Sequence, residues 1–559
     1  MRVSLFMALA VSFVLAYEGK AQNIETLSFP SKPGLSGGVH LGTQFYAANG
    51  ITNRRSPFSY NISGNLRLKW GLVNVPLSFS FRDQNLSYNA RFNKFGISPY
   101  YKWAKLHLGH RSMRFSNYSL NGKNFFGVGT ELTPGKLRFS AFYGQIRNHL
   151  AQRDERIVGG TLVPTFRRRA YGAKVGFGSK SSYIDLIFLN VKDQENDDLR
   201  EEPIQGVQLD PAENLVLGTQ WQTTFFKRLR FNGTVNFSSF TENVNLNALP
   251  IEQEAVKFLN PFTKVNASTR LSLAGELNAS LNFPSFGMGL QYRRVEPNYR
   301  SLGMTFIQAD IESYTAMTNF SFFKRKLSFY LRGGFERNNL RNLDYLGRQR
   351  LIGSARLTLL PAKGWNIGMH YSNFQYESVD GLVEINDTLR QVAVNQSMGI
   401  NINYTVRSKD HTFSVYTSIH RNVNMDLSPI LTIAQDIVTL NGNLGVRWNW
   451  PNIGLSVRPA ILYTQVQLEN VNRTNVGGSA RINKELLQEK LNVALQFRWS
   501  GIREESLRVG HVFFSGVNLR YQLNMSQQIV ATLSYMDRTS TVRQDFKEFR
   551  SSLSYGLKF

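Results

Sequence analysis

The sequence predicts an all-β fold, an antiparallel up-and-down β-barrel of about 26 strands (24–26) closed on itself. Three observations lead there. Apolar and polar residues alternate with a period of two from about Gly38 to Phe559, and no long helical period competes. Short and long connections between the alternating runs follow one another in strict order. The chain also stops on an alternating run, so its last strand needs a partner, and closure onto the first strand supplies one.

Residues 1–21 stand apart from this pattern. Arg2 is followed by the apolar run Val3–Ala16 and the small-residue junction Gly19-Lys20-Ala21, the layout of a secretory signal peptide. The run is too short to span a bilayer comfortably. The junction "KAQN" resembles signal peptides of Bacteroidota. Residues 22–37 then read as a short periplasmic lead, and 38–559 as the barrel. The lead is too short for a separate plug domain.

The strands identify themselves by face. In "NISGNLRLKW", Ile62, Leu66, Leu68 and Trp70 oppose Asn61, Ser63, Asn65, Arg67 and Lys69. In "LSLAGELNASLN", Leu271, Leu273, Leu277 and Leu281 oppose Ser272, Glu276, Asn278 and Ser280. Tight turns are expected at 133–136 ("TPGK"), 225–228 ("FFKR"), 322–326 ("FFKRK") and 360–365 ("LPAKGW"). Long polar loops are expected at 147–167, 192–213, 241–266, 296–310, 376–389 and 423–436. Aromatics cluster at the tight turns, beside Lys or Arg: Trp70, Trp103, Phe225, Phe226, Phe322, Phe323, Trp365, Trp448 and Trp450. Transmembrane barrels show this turn asymmetry and this aromatic girdle, and a soluble sandwich has no need of either.

The chain ends "FRSSLSYGLKF". Phe549, Leu553, Tyr555, Leu557 and Phe559 share one parity. This ending resembles the C-terminal strand of outer-membrane β-barrels of Gram-negative bacteria. The resemblance implies that Phe559, Leu557 and Tyr555 form the assembly signal read by the barrel-insertion machinery. It also implies a cell outer-membrane location with both termini in the periplasm, and contact with outer-membrane lipid and lipopolysaccharide.

The 559 residues contain 40 Phe, 23 Tyr and no Cys, and carry a formal charge of +26. Absence of Cys excludes disulfides and thiolate metal sites. Loss of the signal removes Arg2, Lys20 and Glu18 and leaves +25. Such a charge usually points to nucleic acid, but export argues against that partner. On the strands the basic residues recur on the polar parity: Arg67, Lys69, Arg138, Arg270, Arg332, Arg447, Arg498 and Arg520. Several readings stand: the residues form a cationic lumen that favours anions or binds an acidic plug or cargo, they pair with inward carboxylates such as Glu276 or snorkel at the rim, or basic groups face acidic lipid head groups of the outer leaflet.

A barrel of 26 strands has a backbone diameter of about 50 Å, from strands 4.8 Å apart tilted by ~40°. A lumen that wide needs filling, and loops 147–167, 192–213 and 241–266 are long enough to do it. A protein plug or complex partner would serve as well.

Catalytic patterns are weak. In "HLGH", His107 and His110 fall on opposite faces of a strand and do not chelate one metal. No GxSxG elbow occurs. Asp193, Glu195, Asp197 and Asp198 are the nearest approach to a calcium loop, without the turn glycine of an EF-hand. The adjacent "FRRRA" at Phe166–Ala170 offers these acids a cationic neighbour. The expectation is a porin-like transport protein without cofactor or enzymatic activity, a channel or conduit gated or plugged by loops or a partner. The alternative is a non-enzymatic scaffold subunit of an outer-membrane surface or secretion complex.

Overall fold

The computed structural model describes residues 33–82, 94–148, 165–194, 210–249, 261–430 and 436–559. The expected signal peptide, 1–21, and most of the expected lead, 22–37, fall outside these residues. Twenty-seven strand segments form one antiparallel sheet, each paired with its neighbours in the chain. Segments β4 (Lys94–Ile97) and β5 (Tyr100–Tyr101) are one strand broken at Ser98-Pro99, because both pair with β3 (Val73–Arg82) and β6 (Ala104–Ser112). The barrel therefore has 26 strands, as the sequence predicts.

Closure is direct. β1 (Gly34–Asn49) pairs with β2 (Phe58–Trp70) on one side and with β27 (Phe546–Lys558) on the other. The seam register sets Val39 against Leu557 and Leu41 against Tyr555, and the Phe559 amide donates to the Gly37 carbonyl at 3.0 Å. The first strand begins at Gly34, ahead of the expected Gly38. Gly34–Ser36 pair with β2 alone, Gly37 also takes the Phe559 amide, and the ladder with the last strand starts at Gly38.

One face of each strand carries large apolar residues that no protein atom covers. Leu277, Leu290, Leu444 and Leu553 are all exposed, the last by 52%. A ring of such residues is stable only in hydrocarbon, where closed barrels also satisfy every backbone group. No helix among the described residues is long and apolar enough to cross a membrane. At the tight-turn end, Trp70, Phe225, Phe226, Phe323 and Trp365 point outward, with Phe226 90% exposed. Phe226 and Lys227 both take positive φ, 49° and 56°. These are the positive φ values of the two central residues of a tight turn closed by the Arg228 amide on the Phe225 carbonyl at 3.1 Å, within the three-residue connection 226–228, and they match the sheet twist.

Two expectations need correction. The alternation of short and long connections does not run the length of the chain. From β22 (Leu455–Leu468) onward the long-loop end is also closed tightly: residues 469–470 lead to β23 (Val471–Leu486), and 505–506 join β24 (Leu491–Glu504) to β25 (Leu507–Asn524). Glu505 and Ser506 again have positive φ. The inner face is also not uniformly polar. Phe125, Phe142, Ala170, Ile187, Leu189, Val191 and Val216 lie on the inward rows and are buried.

Candidate functional site

What covers those inward apolar residues is a pair of loops folded into the lumen. The first is 113–123, between β6 and β7 (Asn124–Leu132). The second is 296–310, between β14 (Phe286–Val295) and β15 (Ile311–Phe322). Met113, Phe115 and Leu120 of the first loop join the wall residues Phe125, Phe142, Ile187, Leu189, Val191 and Val216 in one cluster. Tyr118 and Tyr299 form a second cluster with Ala274, Val295 and Ile311. Of the loops of the sequence expectation, 147–167 and 192–213 lie largely outside the described residues, as does 250–260 of loop 241–266. The described Phe262 of that loop packs on Phe188, and its carbonyl accepts from Asn190 Nδ2 at 3.0 Å, on the strand row opposite Ile187 and Leu189. The described filling comes from elsewhere.

The two loops hold each other. A parallel bridge joins Asn121 to Met304, and the Asn121 amide donates to the Gly303 carbonyl at 3.2 Å. Tyr299 Oη donates to the Tyr118 carbonyl at 2.6 Å, and Ser301 Oγ to that of Ser119 at 2.7 Å. Gly303 is required at this crossing, because a Cβ there would sit 2.7 Å from Leu189 Cδ2 and 2.8 Å from the Ser119 carbonyl.

Both loops are then bonded to the wall. Asn214 Oδ1 accepts the Leu302 amide at 3.0 Å, and its Nδ2 donates to the Arg300 carbonyl at 3.3 Å. Ser238 Oγ donates to the same carbonyl at 2.6 Å, and Ser116 Oγ donates to Asn236 Oδ1 at 3.1 Å. Glu276 accepts from Asn117 Nδ2 at 2.8 Å and from Tyr118 Oη at 3.2 Å. Burial pushes the Tyr118 and Tyr299 phenols well up from their ordinary range. For Tyr118 the Glu276 carboxylate adds to the effect. Lys123, at the loop's end, is pushed down by burial and by Arg168 and Arg147.

The predicted site residues divide by their surroundings. Arg138 is spent in an ion pair: Nε and Nη2 reach the fully buried Asp185 at 2.7 and 3.0 Å. Asp193 is likewise taken. Arg168, from the "FRRRA" stretch, grips it bidentately at 2.7 Å twice, and Arg147 adds a bond at 3.0 Å. This occupancy corrects the calcium expectation for Asp193, whose oxygens already face two guanidinium groups. Glu195, Asp197 and Asp198 lie outside the described residues. Arg270 donates to Asn298 at 3.1 Å. His107 is buried against Ser98 and Glu131, at 3.0 and 2.7 Å, while His110 packs on the Phe95 and Phe126 rings.

Arg67 and Lys69 lie on the inward row of β2, opposite Ser36 and Gly34 of β1. Arg332 faces Met317 across β15 and β16 (Leu327–Arg337), beside the docked loops. Arg447, Arg498 and Arg520 lie on the far wall, away from the loops. Register adds two residues that the sequence reading passed over. Arg458 sits directly opposite Arg481, and Arg498 is opposite Ser479. The described ion pairs on this side, Arg473–Glu504, Arg550–Glu548 and Arg54–Glu548, sit at the long-loop end. Like charges placed across a strand pair destabilise it, so the Arg458–Arg481 pairing costs stability.

No protein-family model and no curated protein matches the chain. Similar solved structures include the siderophore receptor PirA from Pseudomonas aeruginosa. It is 10% identical, with 94% of this chain and 80% of that chain covered, at a TM-score of 0.41. The FrpB iron transporter from Neisseria meningitidis is 10% identical over 94% and 82% of the two chains, with a TM-score of 0.36. The translocation pore of the P pilus usher PapC is 9% identical over 94% and 100%, also with a TM-score of 0.36. With scores below 0.5 and identities near a tenth, these likenesses carry no argument about this chain.

Proposed function

We propose that the protein is a non-enzymatic outer-membrane conduit, narrowed by its two docked loops and biased toward anionic or polar solutes by its arginine wall. The observation that carries this reading is the asymmetry of the lumen. One side is filled by 113–123 and 296–310, and the other presents Arg447, Arg458, Arg481, Arg498 and Arg520. Structural arginines would have carboxylates beside them, since unpaired like charges only cost stability. A barrel about 50 Å across whose filling, among the described residues, lies on one side supports passage along the other. Insertion through the terminal strand, with Phe559 as its last residue, belongs to the same reading.

A second reading has its own support. The loops are anchored by two buried clusters and a polar network, as a permanently closed scaffold barrel would need. Planar-bilayer recording of the purified protein separates the two. A conduit gives conductance steps with a reversal potential displaced toward the anion. Arg447→Glu with Arg458→Glu displaces it back toward the cation, at unchanged abundance in the membrane. Silence in the bilayer supports the scaffold, and conductance indifferent to both substitutions removes the role of the arginine wall.

A further inference from the structure

Where the docked loops meet the wall they leave a cavity of about 420 Å³. Asn117, Tyr118, Phe306 and Gln308 line it from the loops, and Glu276, Gln291, Arg293, Arg332 and Glu336 from the wall. The volume falls within the range of small-molecule sites. Its chemistry differs from that of the arginine wall. Two carboxylates face two guanidinium groups, so the lining has no net charge.

The carboxylates are held in place by their own partners. Glu276 receives Asn117 and Tyr118, and Glu336 receives Arg350 Nη1 at 2.7 Å. Each carboxylate keeps lone pairs for another donor. On the donor side, Arg293 Nε is buried without a hydrogen-bond partner. The Gln291 and Gln308 amides add both donors and acceptors. Over this polar set stands Phe306, 80% exposed although it is a large apolar residue. An uncovered ring beside a polar cavity costs hydrophobic free energy unless something covers it.

We infer that this cavity is a saccharide site, taking one or two rings of an uncharged oligosaccharide whose remaining rings extend into the lumen. A sugar ring presents adjacent hydroxyls that both donate and accept, matching a mixed lining of carboxylate, amide and guanidinium. It also presents a flat C–H face, which Phe306 is placed to cover. An anion would leave the two carboxylates facing like charge, and a purely apolar solute would strand the polar groups. The inference deepens the conduit reading and rests on it for the solute's route. The binding itself does not depend on conduction. Because both loops build the cavity, a bound ring also touches the filling of the lumen.

The test is isothermal titration of the detergent-purified full chain with maltotriose, xylotriose and mannotriose, and with trigalacturonate as the charged comparison. We expect at least one neutral trisaccharide to bind with a dissociation constant in the millimolar range or below. Phe306→Ala and Arg332→Gln should each weaken it tenfold or more. Phe306 and Arg332 are exposed, so neither change disturbs the strand ladder, and unchanged heat-modifiability on gels verifies the fold. The inference is overturned if no neutral trisaccharide binds, if both variants bind as the wild type does, or if trigalacturonate binds more tightly than every neutral sugar. Bilayer recording keeps the two readings apart. Sugar binding in a silent barrel sinks the conduit and leaves the site, while conductance without sugar binding does the reverse.

Discussion

Releasing the docked loops should open the lumen without unfolding the barrel. Tyr299 is 1% exposed, with its ring edge-on to Tyr118 at 6.4 Å and its hydroxyl on the Tyr118 carbonyl. Tyr299→Phe leaves that carbonyl short of a donor and costs about 1 kcal/mol. Tyr299→Ala removes a buried ring and costs about 3–5 kcal/mol, and Leu120→Ala, at 0% exposure, costs about 2–5 kcal/mol. The two residues sit on loops bridged at Asn121 and Met304, so the double variant is not a simple sum. Taking the lower figures alone gives about 5 kcal/mol, a shift of the docking equilibrium by roughly 10³-fold or more. Neither residue lies in a strand, so the ladder that holds the barrel is untouched. Trypsin should cut at Arg114 and Arg300 in the double variant and spare them in the wild type. Single-channel conductance should rise, and cells should take up large antibiotics. If conductance, uptake and protection all match the wild type at normal abundance, the loops do not close the lumen.

Three further outcomes follow from the geometry. Deleting Phe559, or changing it to Asp, should strand the chain in the periplasm for degradation; normal outer-membrane levels on fractionation would remove its role as an assembly signal. Leu277 and Leu495 share the lipid-facing parity, so Arg at either should cost roughly 2–4 kcal/mol near mid-membrane. Arg at Ser280 or Gln496, one row inward, should be mild, and equal losses in urea titrations of folded barrel would refute the assigned faces. Alkaline pH should loosen the loops. Tyr118 and Tyr299 are pushed above their ordinary 10.0 while docked, so the undocked loops lose protons first as pH rises. Docking is therefore independent of pH below about 10 and weakens above it, by about 1.4 kcal/mol per pH unit for each phenol. Tryptic cleavage at Arg300 should stay flat from pH 7 to 9.5 and increase beyond; cleavage insensitive to pH would contradict the coupling.

The architecture was legible because a barrel in lipid is written residue by residue. In 61–70 and 269–282 the two parities carry opposite chemistry, and a shift of one residue would put Arg67 or Glu276 into hydrocarbon. The strand count and the closure therefore follow from local alternation alone. The filling did not follow, because it is written in the exceptions. "YIDLIFLNV" at Tyr183–Val191 is apolar on both parities, and in a barrel a strand apolar on both faces must meet protein on its inner side. Ile187, Leu189 and Val191 were the visible sign of an occupied lumen. Their partner stretch 113–123 looks polar by composition, yet it places Met113, Phe115 and Leu120 inward.

The arginine wall shows the same limit from the other direction. Arg447, Arg498 and Arg520 were found by parity, which fixes only the face a residue occupies. Whether a charge is paired depends on which residue lies across from it. That is a matter of register between strands and of contacts far apart in the chain. Arg138 has the same parity signature as Arg447, but Asp185, 47 residues away, neutralises it. Arg458 faces Arg481 instead. One inward arginine is thus a structural ion pair and the other a source of field, although the alternation around them is identical. A sequence reading of such a barrel can therefore count its charges and assign their faces. The separation of spent charges from free ones comes only with the register, and that separation is what leads from a basic lumen to a specific wall with a specific test.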